Sequence, residues 1–200
     1  TTCTLRDAIA AALASVPIKG VGFSAALGWP QTITLTQGQL TISNTSGSTL
    51  IVLGPGSEKL AVSANNLNRV LQATAGINQF RDVTLRGGKV SGMSPGSQPG
   101  GTGNPGQGGG DATGGCILID APAALTLMQS VVRSCVAIGG TGGNGGSGVD
   151  GGFGTGGTGG SGGGQDNSSP YTGAYTFTAA STAPGSQNVT ATNGWALTSS

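Results

Sequence analysis

Two stretches of the chain decide the fold: FRDVTLR at residues 80–86 and LMQSVVR at residues 127–133. One offset places Phe80 on Leu127, Leu85 on Val132 and Arg86 on Arg133. The same offset carries residues 69–73 onto residues 116–120 without a gap. A strand pattern that recurs in register predicts stacked structural repeats, in which like side chains lie above one another.

These repeats predict about four stacked coils of two strands each. The earliest copy starts at residues 40–42 and reaches 50–54, and the last starts at 175–177 and reaches 188–191. We expect the first strands to bury Leu40 and Ile42, Val70 and Gln72, Ile117 and Ile119, and Tyr175 and Phe177. We expect the second strands to bury Leu50 and Val52, Val83 and Leu85, and Val132. Gln72 is the misfit, because a buried amide needs a hydrogen-bond partner.

Short β-type runs continue on both sides of these copies. TITLT at 32–36, QLTIS at 39–43 and KLAVS at 59–63 alternate apolar and polar residues, and Gly, Asn, Ser and Pro separate the runs. One coil cannot bury its apolar side alone, so the next coil must stack on it about 4.8 Å away. We therefore predict an all-β fold with a single domain over residues 1–200. A β-sandwich is the alternative, but it does not explain in-register repeats with long insertions at one point.

One helix is predicted, over residues 5–16 (LRDAIAAALASV). Thr4 is the expected N-cap, Asp7 lies near the positive helix end, and Pro17 ends the segment. Helical spacing brings five apolar side chains to one face: Leu5, Ile9, Ala12, Leu13 and Val16.

Two glycine-rich insertions interrupt the repeats, at residues 92–115 and 139–164. In the second insertion glycine recurs at every third residue from Gly139 to Gly163, and a shorter version runs from Gly100 to Gly109. A period of three matches an extended threefold helix such as polyproline II, and an edge without side chains lets another backbone approach closely. We expect the two tracts to lie side by side as a layer packed on the coils or on a neighbouring subunit. A disordered glycine loop is the alternative.

Composition and charge exclude several classes of partner. The formal net charge is +1 and charged residues make up only 8% of the chain, so no electrostatic case exists for nucleic acid or an anionic membrane surface. No apolar run approaches the ~18 residues that a membrane span needs. The chain begins at Thr1 without a signal peptide, and we interpret it as a processed mature form or a fragment.

The chain has three cysteines, Cys3, Cys116 and Cys135. An odd number leaves at least one of them unpaired within the chain. Cys116 and Cys135 are candidates for a disulfide, but the sequence does not give the geometry that a disulfide needs. Buried free thiols are the other interpretation.

Residues with catalytic potential are sparse. Histidine is absent, which removes the commonest general base and the commonest neutral metal ligand. Asp82 and Asp120 fall on different strands, and Asp150 and Asp166 are isolated rather than clustered as a calcium site requires. The glycine runs lack the spacing of a phosphate-binding loop. We therefore predict no catalytic, metal-binding or cofactor-binding residues and no cofactor.

Arg86 and Arg133 are predicted to stack on the outer face, where they would suit an anionic glycan; a solvated column is the alternative. Three sequons for N-glycosylation start at Asn44, Asn167 and Asn188, and they matter only in a host that glycosylates.

The segment Cys3-Thr4-Leu5-Arg6-Asp7-Ala8 resembles the Cys-Ser-Leu-Arg-Glu-Ala motif of secreted bacterial right-handed parallel β-helix proteins. QTITLTQGQLTI and DVTLRGGKVSG are similar to early coils of that family, and the likeness covers roughly residues 1–140. The resemblance implies a right-handed parallel β-helix whose motif opens a capping helix. It also implies an extracellular or cell-surface location and an adhesive or structural role.

We therefore expect a secreted structural protein, a component of a surface, a matrix or a self-assembling filament. Self-association through the solenoid ends or the glycine tracts is expected, because unpaired strand edges favour stacking. An adhesin that binds glycan along the solenoid face is the first alternative. A polysaccharide lyase or hydrolase on the same fold is the second.

Overall fold

The computed structural model describes residues 3–15, 20–95 and 107–143, together with the backbone of three later strands. Helix α1 spans Leu5–Ala14, and a 3-10 turn spans Ala25–Leu27. The strands are β1 Gly20–Gly22, β2 Gln31–Thr34, β3 Leu40–Ser43, β4 Leu50–Leu53, β5 Leu60–Ser63, β6 Leu71–Ala75, β7 Ile77–Arg81, β8 Thr84–Ser91, β9 Ile117–Ile119, β10 Ala124–Ile138, β11 Gly173–Thr178, β12 Val189–Ala191 and β13 Ala196–Leu197.

Parallel pairing arranges the first ten strands in three ladders. The first ladder is β1–β4–β7–β10, the second is β2–β5–β8–β10, and the third is β3–β6–β9. The chain visits the ladders in the same order each time, and the long strand β10 belongs to the first ladder at its start and to the second at its end. The fold is therefore mostly parallel β with little helix, as the sequence predicts.

The in-register repeat is confirmed for the second half of the offset. Phe80 pairs with Leu127 in the first ladder, and Leu85 and Arg86 pair with Val132 and Arg133 in the second. Each residue of these pairs sits on its neighbour in the adjacent strand, so side chains of one kind form continuous columns. The sequence offset between residues 80–86 and 127–133 is thus the register in which these strands pair.

In the third ladder the expected register is wrong by one residue. Leu71, and not Val70, pairs with Ile117. The N–H groups of Val70 and Leu71 both donate to the carbonyl oxygen of Cys116, at 2.9 and 3.0 Å. Because two successive N–H groups share one acceptor, the pairing of β6 with β9 is shifted by one residue at the bend before β6. As a result Leu71 and Ala73 are buried, and Gln72 lies half-buried on the outer side of the ladder instead of inside.

Each repeat has three strands, one in each ladder, where the sequence suggested two. Leu50 and Val52 pair with Asn78 and Phe80 in the first ladder, while Val83 and Leu85 lie next to β10 beyond a corner. Asp82 makes this corner with a positive φ of 54°. Because the corner has no glycine or proline, β7 and β8 read as one continuous strand in the sequence.

The last segment also differs from expectation. The predicted fourth coil at residues 175–177 does not stack in parallel, because β11 pairs antiparallel with β10, and β12 and β13 continue antiparallel beyond it. The side chains of Tyr175 and Phe177 lie outside the described residues. Asn188 and Thr190 stand in this segment where the earlier copies have apolar residues.

The core is one cluster of columns that run across the ladders. The first ladder contributes Val21, Val52, Phe80 and Leu127, and the second contributes Ile33, Val62, Leu85 and Val132. The central members, such as Phe80 and Leu85, are fully buried. Burial of such side chains stabilises the fold by about 1.5–3 kcal/mol each.

Helix α1 starts as predicted and ends two residues early, at Ala14, with Ser15 as its C-cap. Thr4 and Asp7 form a reciprocal capping box, and their hydrogen bonds hold the pKa of Asp7 below its ordinary value. Three residues of the predicted apolar face are buried: Leu5, Ile9 and Ala12. Val16 and Pro17 lie outside the described residues.

Candidate functional surfaces

Arg86 and Arg133 lie side by side on the outer face of the second ladder. The row to which they belong continues through Ser63 to Thr34, and we call these four residues the arginine row. The Arg86 guanidinium donates to the Thr32 hydroxyl at 3.2 Å, whereas Arg133 is exposed. Within the described part of the chain no carboxylate forms an ion pair with either arginine. The predicted stack of two like charges is confirmed.

The described parts of the two glycine tracts lie against each other. The N–H of Gly110 donates to the carbonyl of Met93 at 2.7 Å, and the N–H of Gly140 donates to the carbonyl of Gly110 at 2.8 Å. Three segments therefore meet backbone to backbone: residues 92–95, 107–110 and 139–143. We call them the glycine bundle. Thr141 adds contacts to the Ser94 hydroxyl at 3.0 and 3.1 Å.

Two hydrogen bonds between the glycine tracts are spaced three residues apart. Gly140 donates to Gly110, and three residues later Gly143 donates to Gln107, which lies three residues earlier on the other tract. The two segments therefore run antiparallel with the period that the sequence displays. The two donors, Gly140 and Gly143, are buried. Gly139 and Gly142, which belong to the unbroken series of every third glycine, are half-exposed.

Close approach in the bundle requires glycine. A Cβ built on Gly140 would lie 1.9 Å from the carbonyl oxygen of Met93, far inside van der Waals contact. The same holds where the first tract meets the second ladder, since a Cβ on Gly115 would lie 2.7 Å from the backbone nitrogen of Val136. Any side chain at these positions would force the backbones apart.

A polar network covers the outer side of the third ladder. The Gln39 amide donates to Gln72 Oε1, and Gln72 Nε2 donates to Asp120 Oδ2 at 2.6 Å. Arg69 donates to the Thr113 carbonyl at 2.9 and 3.1 Å and to Gln39 Oε1 at 3.4 Å. Burial lowers the pKa of Arg69, and the nearby Asp120 carboxylate opposes that shift. The network ties three strands and the segment before β9 together.

Sequence reasoning found only one member of this network. Gln72 broke the apolar pattern, and its need for a partner was the signal. Gln39 and Arg69 carry no such signal, because each precedes its strand in an ordinary polar position. Asp120 and Asp82 are not brought together: Asp120 follows β9 in the third ladder, and Asp82 makes the corner between β7 and β8.

Cys116 and Cys135 form a disulfide, with their Cα atoms 5.0 Å apart. Both residues are buried, and the bond joins the start of β9 to the end of β10. Of the two interpretations left open by the sequence, pairing is therefore the correct one. Cys3 is a free, exposed thiol at the start of the helix.

Metal ligands do not cluster in the part of the chain that the structure describes. No group of three or more Cys, Asp or Glu side chains lies close enough there to hold a metal ion. Asp150 and Asp166 lie outside the described residues. A shallow cavity of about 100 Å³ separates α1 from β3, with Arg6, Ile9 and Thr41 in its lining. That volume is smaller than the roughly 300 Å³ at which ligand pockets begin.

The side chain of Asn44, the first residue of the first sequon, is buried in the folded chain. Asn44 is 2% exposed, and its amide nitrogen donates to the carbonyls of Ser48 and Ile77 at 2.7 and 2.9 Å. Its side-chain oxygen accepts from the Ser46 hydroxyl at 2.7 Å. Asn44 is thus a structural residue in the bend between β3 and β4. The sequons at Asn167 and Asn188 lie outside the described side chains.

Comparison with known proteins gives no relative: no family model, no curated protein and no solved structure matches the chain. Among the described residues, no helix has the length and apolar character needed to cross a membrane.

Proposed function

We propose that this chain is a secreted structural protein, not an enzyme, and that it works as a right-handed parallel β-helix that assembles into a surface layer or filament. In this view each passage through the three ladders is one coil, and β10 begins the fourth. The order of the ladders, which repeats without exception from β1 to β10, supports the solenoid. The resemblance of Cys3–Ala8 to a motif of secreted solenoid proteins points the same way.

One observation carries the structural role: the polar and glycine features of the described residues serve to hold backbone segments together. The glycine bundle joins three segments by backbone hydrogen bonds, two of which are spaced three residues apart. The polar network spans three strands with its side chains bonded to each other and to the Thr113 carbonyl. A catalytic centre instead directs convergent groups into a cleft.

The disulfide supports a location outside the cell. The disulfide between Cys116 and Cys135 joins the start of β9 to β10, and disulfides persist in oxidising compartments. The helix α1 is proposed to cap the end of the fold over β1 and β3, beside β2, since its buried face belongs to the same core and faces Leu40 and Thr41 of β3.

Electron microscopy and sedimentation velocity of the purified protein test this function. We expect polymers whose length grows with protein concentration. A protein that stays monomeric from micromolar to millimolar concentration, with unchanged sedimentation, would contradict assembly. Circular dichroism dominated by β-structure serves as the control for folding.

The arginine row favours a second candidate, an adhesin for anionic glycans. Arg86 and Arg133 are register partners without an ion-paired carboxylate among the described residues, so a sulfated or carboxylated sugar would relieve their repulsion. Binding of sulfated and carboxylated glycans that is lost on Arg86→Ala or Arg133→Ala would support it. Lys59→Ala, which removes an exposed cation outside the row, is the matched control.

A further inference from the structure

The second ladder ends in an open edge on both sides. β2 is its first strand and the end of β10 is its last, and in the described part of the chain neither outer edge has a partner strand. The first ladder lacks this property, because β11 pairs with β10 there. An unpaired edge presents N–H and C=O groups to a further strand.

The outward groups of β2 belong to two threonines. The N–H groups of Gln31 and Leu35 donate to β5 through the Lys59 and Ser63 carbonyls, at 2.7 and 2.8 Å. Successive residues of a strand present their backbone groups to opposite sides, so Thr32 and Thr34 face away from β5. Both threonines are exposed.

The outward groups of β10 belong to Val132. Val131 donates its N–H to the Val83 carbonyl at 3.0 Å, which fixes Val131 and Arg133 as the residues that face β8. By the same alternation, the N–H and C=O of Val132 face away from the ladder. In the parallel arrangement one such residue bonds to the two residues that flank its partner.

Burial along the inner column of this ladder shows the same two open ends. Val62 and Leu85 in the middle are 1% and 0% exposed. Ile33 at one end and Val132 at the other are only partly buried. A further strand at either end would complete the burial of the terminal residue.

We propose that copies of this chain associate head to tail through the second ladder, with Val132 of one copy paired in parallel with Ile33 of the next. The Val132 N–H then donates to the Thr32 carbonyl, and the Thr34 N–H donates to the Val132 carbonyl. The arginine row continues from Arg133 to Thr34 of the second copy. This inference rests on the proposed function as an assembling structural protein.

Charge selects this arrangement over tail-to-tail pairing. Two β10 edges side by side would bring the Arg133 side chains of both copies to one sheet face, and like charges across neighbouring strands are destabilising. The head-to-tail contact places Arg133 beside the neutral Thr34 instead. Because the two surfaces differ, the contact does not close on itself and generates a filament.

A charge introduced at Thr34 tests the contact. Thr34→Lys faces Arg133 of the next copy, so at low salt we expect the apparent association constant from sedimentation to fall about fivefold. The matched control Thr36→Lys adds the same charge on the exposed turn beyond β2 and leaves association unchanged. Adding Arg133→Glu to Thr34→Lys restores association to the wild-type level or above.

A second variant tests the hydrogen bond independently of charge. Thr34→Pro removes an N–H that faces away from β5, so the fold is retained and association falls. Thermal unfolding of every variant confirms that the monomer is intact.

The outcomes separate the two proposals. Polymers of wild-type protein that are insensitive to Thr34→Lys and Thr34→Pro overturn the head-to-tail contact and leave the structural function standing. Association strengthened by Arg133→Ala alone, which removes the repulsion between two β10 edges, indicates tail-to-tail pairing and also overturns it. Absence of any wild-type polymer overturns both.

Discussion

A Cβ atom on Gly92 would lie 1.9 Å from the carbonyl oxygen of Gly110, so these two glycine backbones are in direct contact. Gly92 is also tied to the end of β10, because its N–H donates to the Ile138 carbonyl at 2.8 Å. The first tract, the second tract and the second ladder therefore share one junction. The stability of the glycine bundle should depend on the smallest possible side chain at that point.

Replacing Gly92 with alanine should destabilise the protein. The added methyl group must displace the Gly110 backbone, and forced overpacking costs about 1–3 kcal/mol. Chemical denaturation monitored by circular dichroism measures the loss. Gly22→Ala is the matched control, since a Cβ there meets nothing within 4 Å. Equal stability of the two variants would show that the junction is not packed.

Removing the disulfide should lower stability by about 3 kcal/mol, because it closes a loop with a sequence separation of 19. The double variant Cys116→Ala/Cys135→Ala avoids a leftover thiol. The midpoint of urea unfolding reports the change, and Cys3→Ser should leave it where it is because Cys3 is exposed. A double variant as stable as the wild type would contradict a structural role for this bond.

The capping box predicts a pH dependence. Hydrogen bonds from Thr4 lower the folded-state pKa of Asp7, so this carboxylate adds stability above its unfolded pKa and loses it as the pH falls through the lower folded value. Wild type should therefore exceed Asp7→Asn in stability at neutral pH, and the gap should close in acid, below about pH 4. Thermal unfolding from pH 2 to pH 7 measures it. A gap that stays constant over this range would refute the prediction.

Truncating Asp120 should destabilise the third ladder. Asp120→Ala leaves Gln72 Nε2 without its acceptor at 2.6 Å, which costs about 1–3 kcal/mol for a fully buried group and less here because Gln72 is half-buried. Asp120→Asn keeps an acceptor oxygen and should be the milder change. Urea unfolding compares the two, and a larger loss for Asn than for Ala would contradict the role given to Asp120.

The sequence predicted the second ladder well because its signal is local and repeated. Arg86 and Arg133, with the apolar residues beside them, recur at one spacing, and pairing follows that spacing. The predicted register of the third ladder was wrong by one residue because the N–H groups of Val70 and Leu71 share the Cys116 carbonyl. This detail of one bend cannot be seen in the amino-acid sequence. An apolar residue stands at both positions, so either register reads equally well.

The corners explain the rest of what was missed. Asp82 and Gln129 adopt positive φ values of 54° and 49°, and the residue type at neither position predicts a positive φ. Without a glycine or proline at the corner, two strands merged into one and a whole ladder was overlooked. The antiparallel β11 and the polar network depend on contacts between distant segments, and such contacts are set by the fold as a whole.

The buried amide of Asn44 bears on how the protein should be produced. Oligosaccharide transfer acts on the nascent polypeptide, before Asn44 is enclosed, and a sugar on its nitrogen would occupy the place of the bonds to Ser48 and Ile77. Eukaryotic secretion would thus yield a misfolded fraction that bacterial expression avoids. Asn44→Gln would remove the attachment signal, but the longer side chain would not reproduce the hydrogen bonds to the Ser48 and Ile77 carbonyls.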